Sequence, residues 1–155
     1  MLISNNVELN PFTSSSASDH GEVNILVVDD DPRVVETVRV VLKRMGGYKI
    51  FKANSSAECL RQIKEKQPAL VLLDAHMPQV DSLQLLRQIR AQTENSHLPV
   101  LMISVDAHFE QMAACFKAGA SGFLIKPFDT ANLSRQVRNA IAQRGVDLLH
   151  RNGPK

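Results

Sequence analysis

The chain has 155 residues, a net charge of +2, 44% apolar residues and 22% charged ones. That length supports one domain with a sizeable core and is tight for two. The small charge gives no case for binding nucleic acid or a membrane surface, and no apolar run approaches the about 20 residues of a transmembrane helix.

Residues 1–22 are polar and Ser-rich, as in "TSSSASDHGE", with no Lys or Arg before Arg33. They read as a flexible, mildly acidic N-terminal tail, without the basic and apolar regions of a signal peptide. From Asn24 the pattern alternates. Ile25–Val28 is a short apolar run that leads into Asp29, Asp30 and Asp31. Val34, Val35, Val38, Val41, Leu42 and Met45 then follow a helical period that stops at Gly46-Gly47. Tyr48–Ala53 is a weaker strand. Ser55 or Ser56 caps a helix carrying Cys59, Leu60 and Ile63, which ends before Pro68.

Leu70–Leu73 is the third strand and precedes a helix with Leu83, Leu86 and Ile89. Val100–Ile103 precedes a helix whose apolar face is read as Phe109, Met112, Ala113 and Phe116. Gly122–Ile125 precedes a helix capped by Asp129, with Leu133, Val137 and Ile141 on one face. Residues 145–155 form a mildly basic C-terminal tail that extends this helix or frays. Cys59 and Cys115 are far apart and read as two buried thiols in a reducing cytoplasm rather than a metal pair.

Five strands alternating with five helices imply an α/β fold with a doubly wound five-stranded parallel sheet over residues 23–144. Ligands of such sheets bind beyond the carboxyl ends of the strands. Asp29, Asp30 and Asp31 follow strand one, Asp74 ends strand three, Ser104 follows strand four and Lys126 follows strand five. Clustered carboxylates suit Mg²⁺, a hard cation that takes oxygen ligands. An amine and a hydroxyl suit phosphoryl oxygens, and a carboxylate can itself attack phosphorus. The residues alone thus point to a Mg²⁺-dependent aspartyl-phosphate site. Asp31 also reads as a cap of the first helix.

The stretches "ILVVDDDP", "LVLLDAHMPQVDS", "PVLMIS" and "GASGFLIKPFD" resemble the receiver domain of two-component response regulators, of the single-domain, chemotaxis-regulator-like kind. The resemblance implies a flavodoxin-like (βα)5 receiver fold. It implies Asp74 as phosphoacceptor, Asp29, Asp30 and Asp74 as metal carboxylates, and the backbone carbonyl of His76 as a further metal ligand. Ser104 and Lys126 would hold phosphoryl oxygens. Ser104 and Phe123 would form the switch that remodels the surface of helix four, strand five and helix five. The Lys126-Pro127 bond resembles the family's cis peptide. The implied partners are a histidine kinase or histidine phosphotransfer protein, and downstream either a protein partner or an effector domain absent from this chain.

Some positions depart from the family pattern. Ser82 stands where Gly is usual, and Val105 follows Ser104 where a smaller residue is common. His76 occupies a position that overhangs the site. His76 and Val105 are therefore expected to modulate access to the phosphoryl group and its lifetime. "GASGF" lacks the paired acidic residues of regulators that dimerise through this face.

The alternative is a degenerate receiver that acts as a phosphorylation-independent interaction module. A haloacid-dehalogenase-type phosphatase fits Asp29-Asp30-Asp31 superficially, but Arg33 and the lack of a later acidic pair oppose it. Neither G-x-G-x-x-G nor G-x-x-x-x-G-K-[ST] occurs, which removes the nucleotide-binding reading.

Overall fold

The computed structural model describes residues 22–106 and 108–151. The expected tail over residues 1–21 lies outside them. The elements run β1 (Val23–Val28), α1 (Pro32–Met45), β2 (Tyr48–Ala53), α2 (Ser56–Lys66), β3 (Leu70–Asp74), α3 (Ser82–Ala91), β4 (Val100–Ser104), α4 (Phe109–Lys117), β5 (Gly122–Ile125) and α5 (Thr130–Arg151). A single 3-10 turn, Thr93–Asn95, follows α3. The last helix continues through residues 145–151, the first part of the expected C-terminal tail. No helix among the described residues is long and apolar enough to cross a membrane.

The five strands form one parallel sheet in the order β2-β1-β3-β4-β5. Every residue of β3 and β4 is buried, which explains why these strands are continuous apolar runs and not alternating ones. Side chains alternate between two cores. Ile25, Val27, Leu70, Leu72, Leu101 and Ile103 pack against α1 and α5. Leu26, Val28, Val71, Leu73, Val100 and Met102 pack against α2, α3 and α4. Strand order reverses at β1, so a crevice opens at the carboxyl ends of β1 and β3.

Helix starts follow local chemistry. Asp31, Ser55 and Asp81 cap α1, α2 and α3, each accepting a main-chain amide of the first turn. Asp129 does the same for the start of α5 through the amide of Asn132. At α4 the sequence reading gives the helix correctly but its phase wrongly. Phe109 is 84% and Phe116 47% exposed, and the buried residue is Cys115. The side facing the core carries the small Cys115, with Ala118 and Ala120 packed beside it, so the large rings are left outside.

The corner where α3, α4 and β4 meet is tied by Arg90. Its guanidinium donates to the carbonyl of Gly119 from Nε (2.9 Å) and Nη2 (2.8 Å), and from Nη1 to those of Asn95 (3.0 Å) and Leu98. Gly119 has φ +109°, and a Cβ there would lie 2.9 Å from Arg90 Cγ. The glycine gives both the turn and the room for the arginine.

Candidate functional site

The sheet delivers the expected groups to one edge. β1 leads directly into Asp29 and Asp30, β3 ends in Asp74, β4 ends in Ser104, and Lys126 follows β5. Carboxylate oxygens of Asp29, Asp30 and Asp74 lie within 4.8 Å of one another. Asp29 and Asp74 are buried, Asp30 is exposed, and Ser104 is fully buried. Lys126 Nζ donates to Asp29 Oδ2 at 3.0 Å and stands 3.5 Å from Asp74 Oδ2. The Lys126-Pro127 peptide is cis. One ammonium thus faces two buried carboxylates, with a third carboxylate at the mouth.

Local turns fix these side chains. The amide of Asp31 donates to Asp29 Oδ1 at 2.9 Å, and the amide of His76 to Asp74 Oδ1 at 3.0 Å. Each carboxylate therefore keeps Oδ2 turned toward Lys126. The Asp106 amide donates to Ser104 Oγ at 3.0 Å, which leaves the hydroxyl hydrogen available as a donor. Ser82, where the family pattern has Gly, is buried and donates its hydroxyl to the main-chain carbonyl of Asp74. The start of α3 is thereby fastened to the strand that carries Asp74.

Burial pushes the Asp29 carboxyl above its ordinary value, the charge of Asp74 adds to the rise, and the Asp31 amide and Lys126 offset part of it. Burial acts to lower the Lys126 ammonium, but its hydrogen bond to Asp29 and the charges of Asp29 and Asp74 outweigh that and raise it. Lys126 therefore stays a cation throughout the neutral range. Asp31 stands apart. It caps α1 and pairs with Arg33 at 3.0 Å, and the hydrogen bonds from Arg33 hold its carboxyl below the usual range.

The donor set fits a small hard divalent cation. Three carboxylates meet one amine, so negative charge is in excess, and every candidate ligand among them is oxygen. His76 lies beside the cluster with its main chain, while its ring is exposed and reaches Gln111 of α4. Val105 is exposed at the end of β4. Phe123 is half-buried on β5, its ring centroid 6.5 Å from that of Phe116.

Three residues around the site escape the sequence reading. The Ser104-x-Asp106 spacing is a readable signal for the turn that orders the hydroxyl. The Ser82 hydroxyl is visible in sequence only as a departure, with nothing to say where it points. Gln111 carries no signal, because its contact with His76 depends on how α4 is placed.

Over residues 25–138 the chain matches the family described as the response regulator receiver domain. It is 34% identical over 122 residues to response regulator Rre1 of Synechocystis, covering 79% of this chain and 53% of that protein. It is 37% identical over 123 residues to the transcriptional regulatory protein ZraR of Escherichia coli, covering 79% of this chain and 27% of that protein. The chain thus spans about half or less of the length of these curated relatives. The crystal structure of the receiver domain of NtrX from Brucella abortus superposes with a TM-score of 0.70 at 32% identity, covering 76% of this chain and 98% of that one. With its parallel sheet and the acidic edge between β1 and β3, the chain belongs to the family of response regulator receiver domains of two-component signalling.

Proposed function

We propose that this receiver accepts a phosphoryl group onto Asp74 from a phosphohistidine of a histidine kinase or phosphotransfer protein in the cytoplasm. The observation that carries this reading is Lys126, its Nζ 3.0 Å from Asp29 and 3.5 Å from Asp74, at a strand end whose main chain bonds that of the buried Ser104. In the transfer, a carboxylate oxygen of Asp74 forms a bond to phosphorus as the bond from phosphorus to the donor imidazole nitrogen breaks. The His76 amide holds Asp74 Oδ1 and so orients the attacking group. Positioning and charge neutralisation are most of what this reaction needs.

Asp29, Asp30, Asp74 and the main-chain carbonyl of His76 would hold Mg²⁺. When bound, the ion supplies positive charge against the phosphoryl oxygens and relieves the crowding of the carboxylates. Lys126 then exchanges its contact with Asp74 for one to a phosphoryl oxygen. Ser104 turns inward to donate its hydroxyl hydrogen to another.

The switch follows from that inward turn. Phe123 moves into the space left beside Ser104, and its contact with Phe116 transmits the change to α4. The surface of α4, β5 and α5 is then read by a downstream protein partner or by an effector domain absent from this chain. The equilibrium between two packings is biased by the new phosphoryl contacts. The chain catalyses only its own phosphorylation and slow autodephosphorylation. His76 and Val105, at the rim, modulate access to the phosphoryl group.

The test is NMR with Mg²⁺ and a beryllofluoride phosphoryl mimic. Shifts at Ser104, Phe123 and α4, lost in Asp74→Asn, are the expected result. A wild-type protein that gives no Mg²⁺-dependent response would leave a degenerate receiver, acting as a phosphorylation-independent interaction module.

A further inference from the structure

We infer that Gln111 is a positioning residue that holds the His76 ring across the rim of the Asp74 site, so that phosphoryl lifetime depends on where α4 sits. The inference rests on the reading of Asp74 as phosphoacceptor. Its structural basis is a contact between two segments that the sequence keeps well apart: Gln111 Nε2 lies 3.3 Å from His76 Nε2.

His76 is tied to the site at its other end, because its amide donates to Asp74 Oδ1. The residue therefore runs from the phosphoacceptor carboxylate to the first turn of α4. β3 and β4 are adjacent, with Asp74 opposite Ile103, so Asp74 and Ser104 flank one gap at the sheet edge. A link from the loop after β3 to the helix after β4 spans that gap. An amide offers both a donor and an acceptor, so Gln111 fits either tautomer of the ring.

The first turn of α4 has few other fastenings. His108 makes no side-chain cap and is tied only to the preceding loop, its amide and ring on the Asp106 carboxylate. Phe109 is largely exposed, and the one buried residue of the helix, Cys115, lies about one turn past Gln111. The opposite end is secured, since Arg90 holds the carbonyl of Gly119 just past the helix. A helix fixed at its end and lightly held at its start moves most at Gln111. Movement of that turn carries the ring off the rim and admits water to the phosphoryl group.

A single exposed, neutral hydrogen bond changes an equilibrium by about 2- to 10-fold. The expected effect on lifetime is of that size, a modulation and not an on–off control.

The test uses the full chain with Mg²⁺ and a small-molecule phosphodonor, following the phosphorylated mass after donor removal. Gln111→Met keeps side-chain length and helix propensity but removes the amide. Loss of phosphoryl is expected to be about 2- to 10-fold faster than in wild type, with no such acceleration when the same change is made in His76→Ala. The ring nitrogens of His76 are expected to shift in NMR spectra of unphosphorylated Gln111→Met, a signature that a general loss of helix stability would not confine to that ring. Equal or slower loss in Gln111→Met, the same acceleration in the His76→Ala background, or an unmoved ring overturns the inference while leaving Asp74 as acceptor. Absence of any phosphoryl uptake by the wild type overturns the reading of the site, and this inference with it.

Discussion

Replacing Lys126 by Met removes the ammonium from between Asp29 and Asp74 and leaves two buried carboxylates facing each other. Their oxygens lie within 4.8 Å, a separation at which two unit charges repel by about 3.5 kcal/mol at an effective dielectric of about 20. Breaking a fully buried pair by removing one partner costs about 3–5 kcal/mol. The Lys126 side chain is 17% exposed, so screening brings the expected loss in Lys126→Met to about 2–3 kcal/mol at neutral pH and low salt. In urea denaturation the midpoint should fall by roughly 1–2 M.

The loss has a definite pH dependence. Asp29 is already held above its ordinary value of 3.8 by burial, and losing Lys126 raises it further. Above 3.8 the unfolded state releases the Asp29 proton first. The resulting penalty grows as pH rises from 3.8 to the folded value and is flat beyond it. The gap between variant and wild type should therefore be flat above the variant's raised Asp29 value and narrow as pH is lowered through it toward the wild-type value. Millimolar Mg²⁺ should narrow it at neutral pH as well, by supplying the missing positive charge. A variant as stable as wild type at pH 7 would refute the reasoning. So would a gap that ignores both acid and Mg²⁺.

Ser82→Ala should lower stability by about 1 kcal/mol, the value of one hydrogen bond to the Asp74 carbonyl, and Ser82→Gly by about 0.5–1 kcal/mol more from backbone freedom; an unchanged thermal midpoint in Ser82→Ala would show that the bond contributes nothing. Gly119→Ala should cost about 1–3 kcal/mol from backbone strain, increased by the collision with Arg90. Gly47→Ala, where φ is also positive but nothing lies within 4 Å, should cost less in the same urea titration. Burial, with Glu58 adding to it, pushes the Cys59 thiol up to about 12. At pH 8 a disulfide reagent should therefore leave Cys59 unmodified until urea is added. Because the unfolded thiol ionises first, from about 9.0, stability should fall by roughly 1.4 kcal/mol for each pH unit between there and about 12. Comparison with Cys59→Ser isolates that slope.

The strands and the site are legible in the sequence for one physical reason. A parallel strand buried on both faces must be a short apolar run, so its last residue marks the sheet edge, where Asp29, Asp74, Ser104 and Lys126 stand. Helix caps are legible because an Asp or Ser side chain bonds an amide two or three residues away, as Asp31 and Ser55 do. The phase of α4 is not, since Phe109 and Phe116 fit the same helical spacing whether that side faces the core or solvent. Contacts such as Gln111 with His76 or Arg90 with Gly119 depend on how separate elements are placed. No pattern within either segment encodes them.

Arg90 differs from Lys126 in the kind of group that holds it. Its partners are main-chain carbonyls of Asn95, Leu98 and Gly119 and the hydroxyl of Ser121, none of which titrates. Lys126 is held by carboxylates that acid discharges. The two fastenings on neighbouring parts of the sheet therefore answer to different solvents. Acid loosens the tie from β5 to β1 and β3 while the α3–α4 corner stays clamped. An early species in acid unfolding should keep that corner native and open first along the edge that carries Asp29 and Asp74.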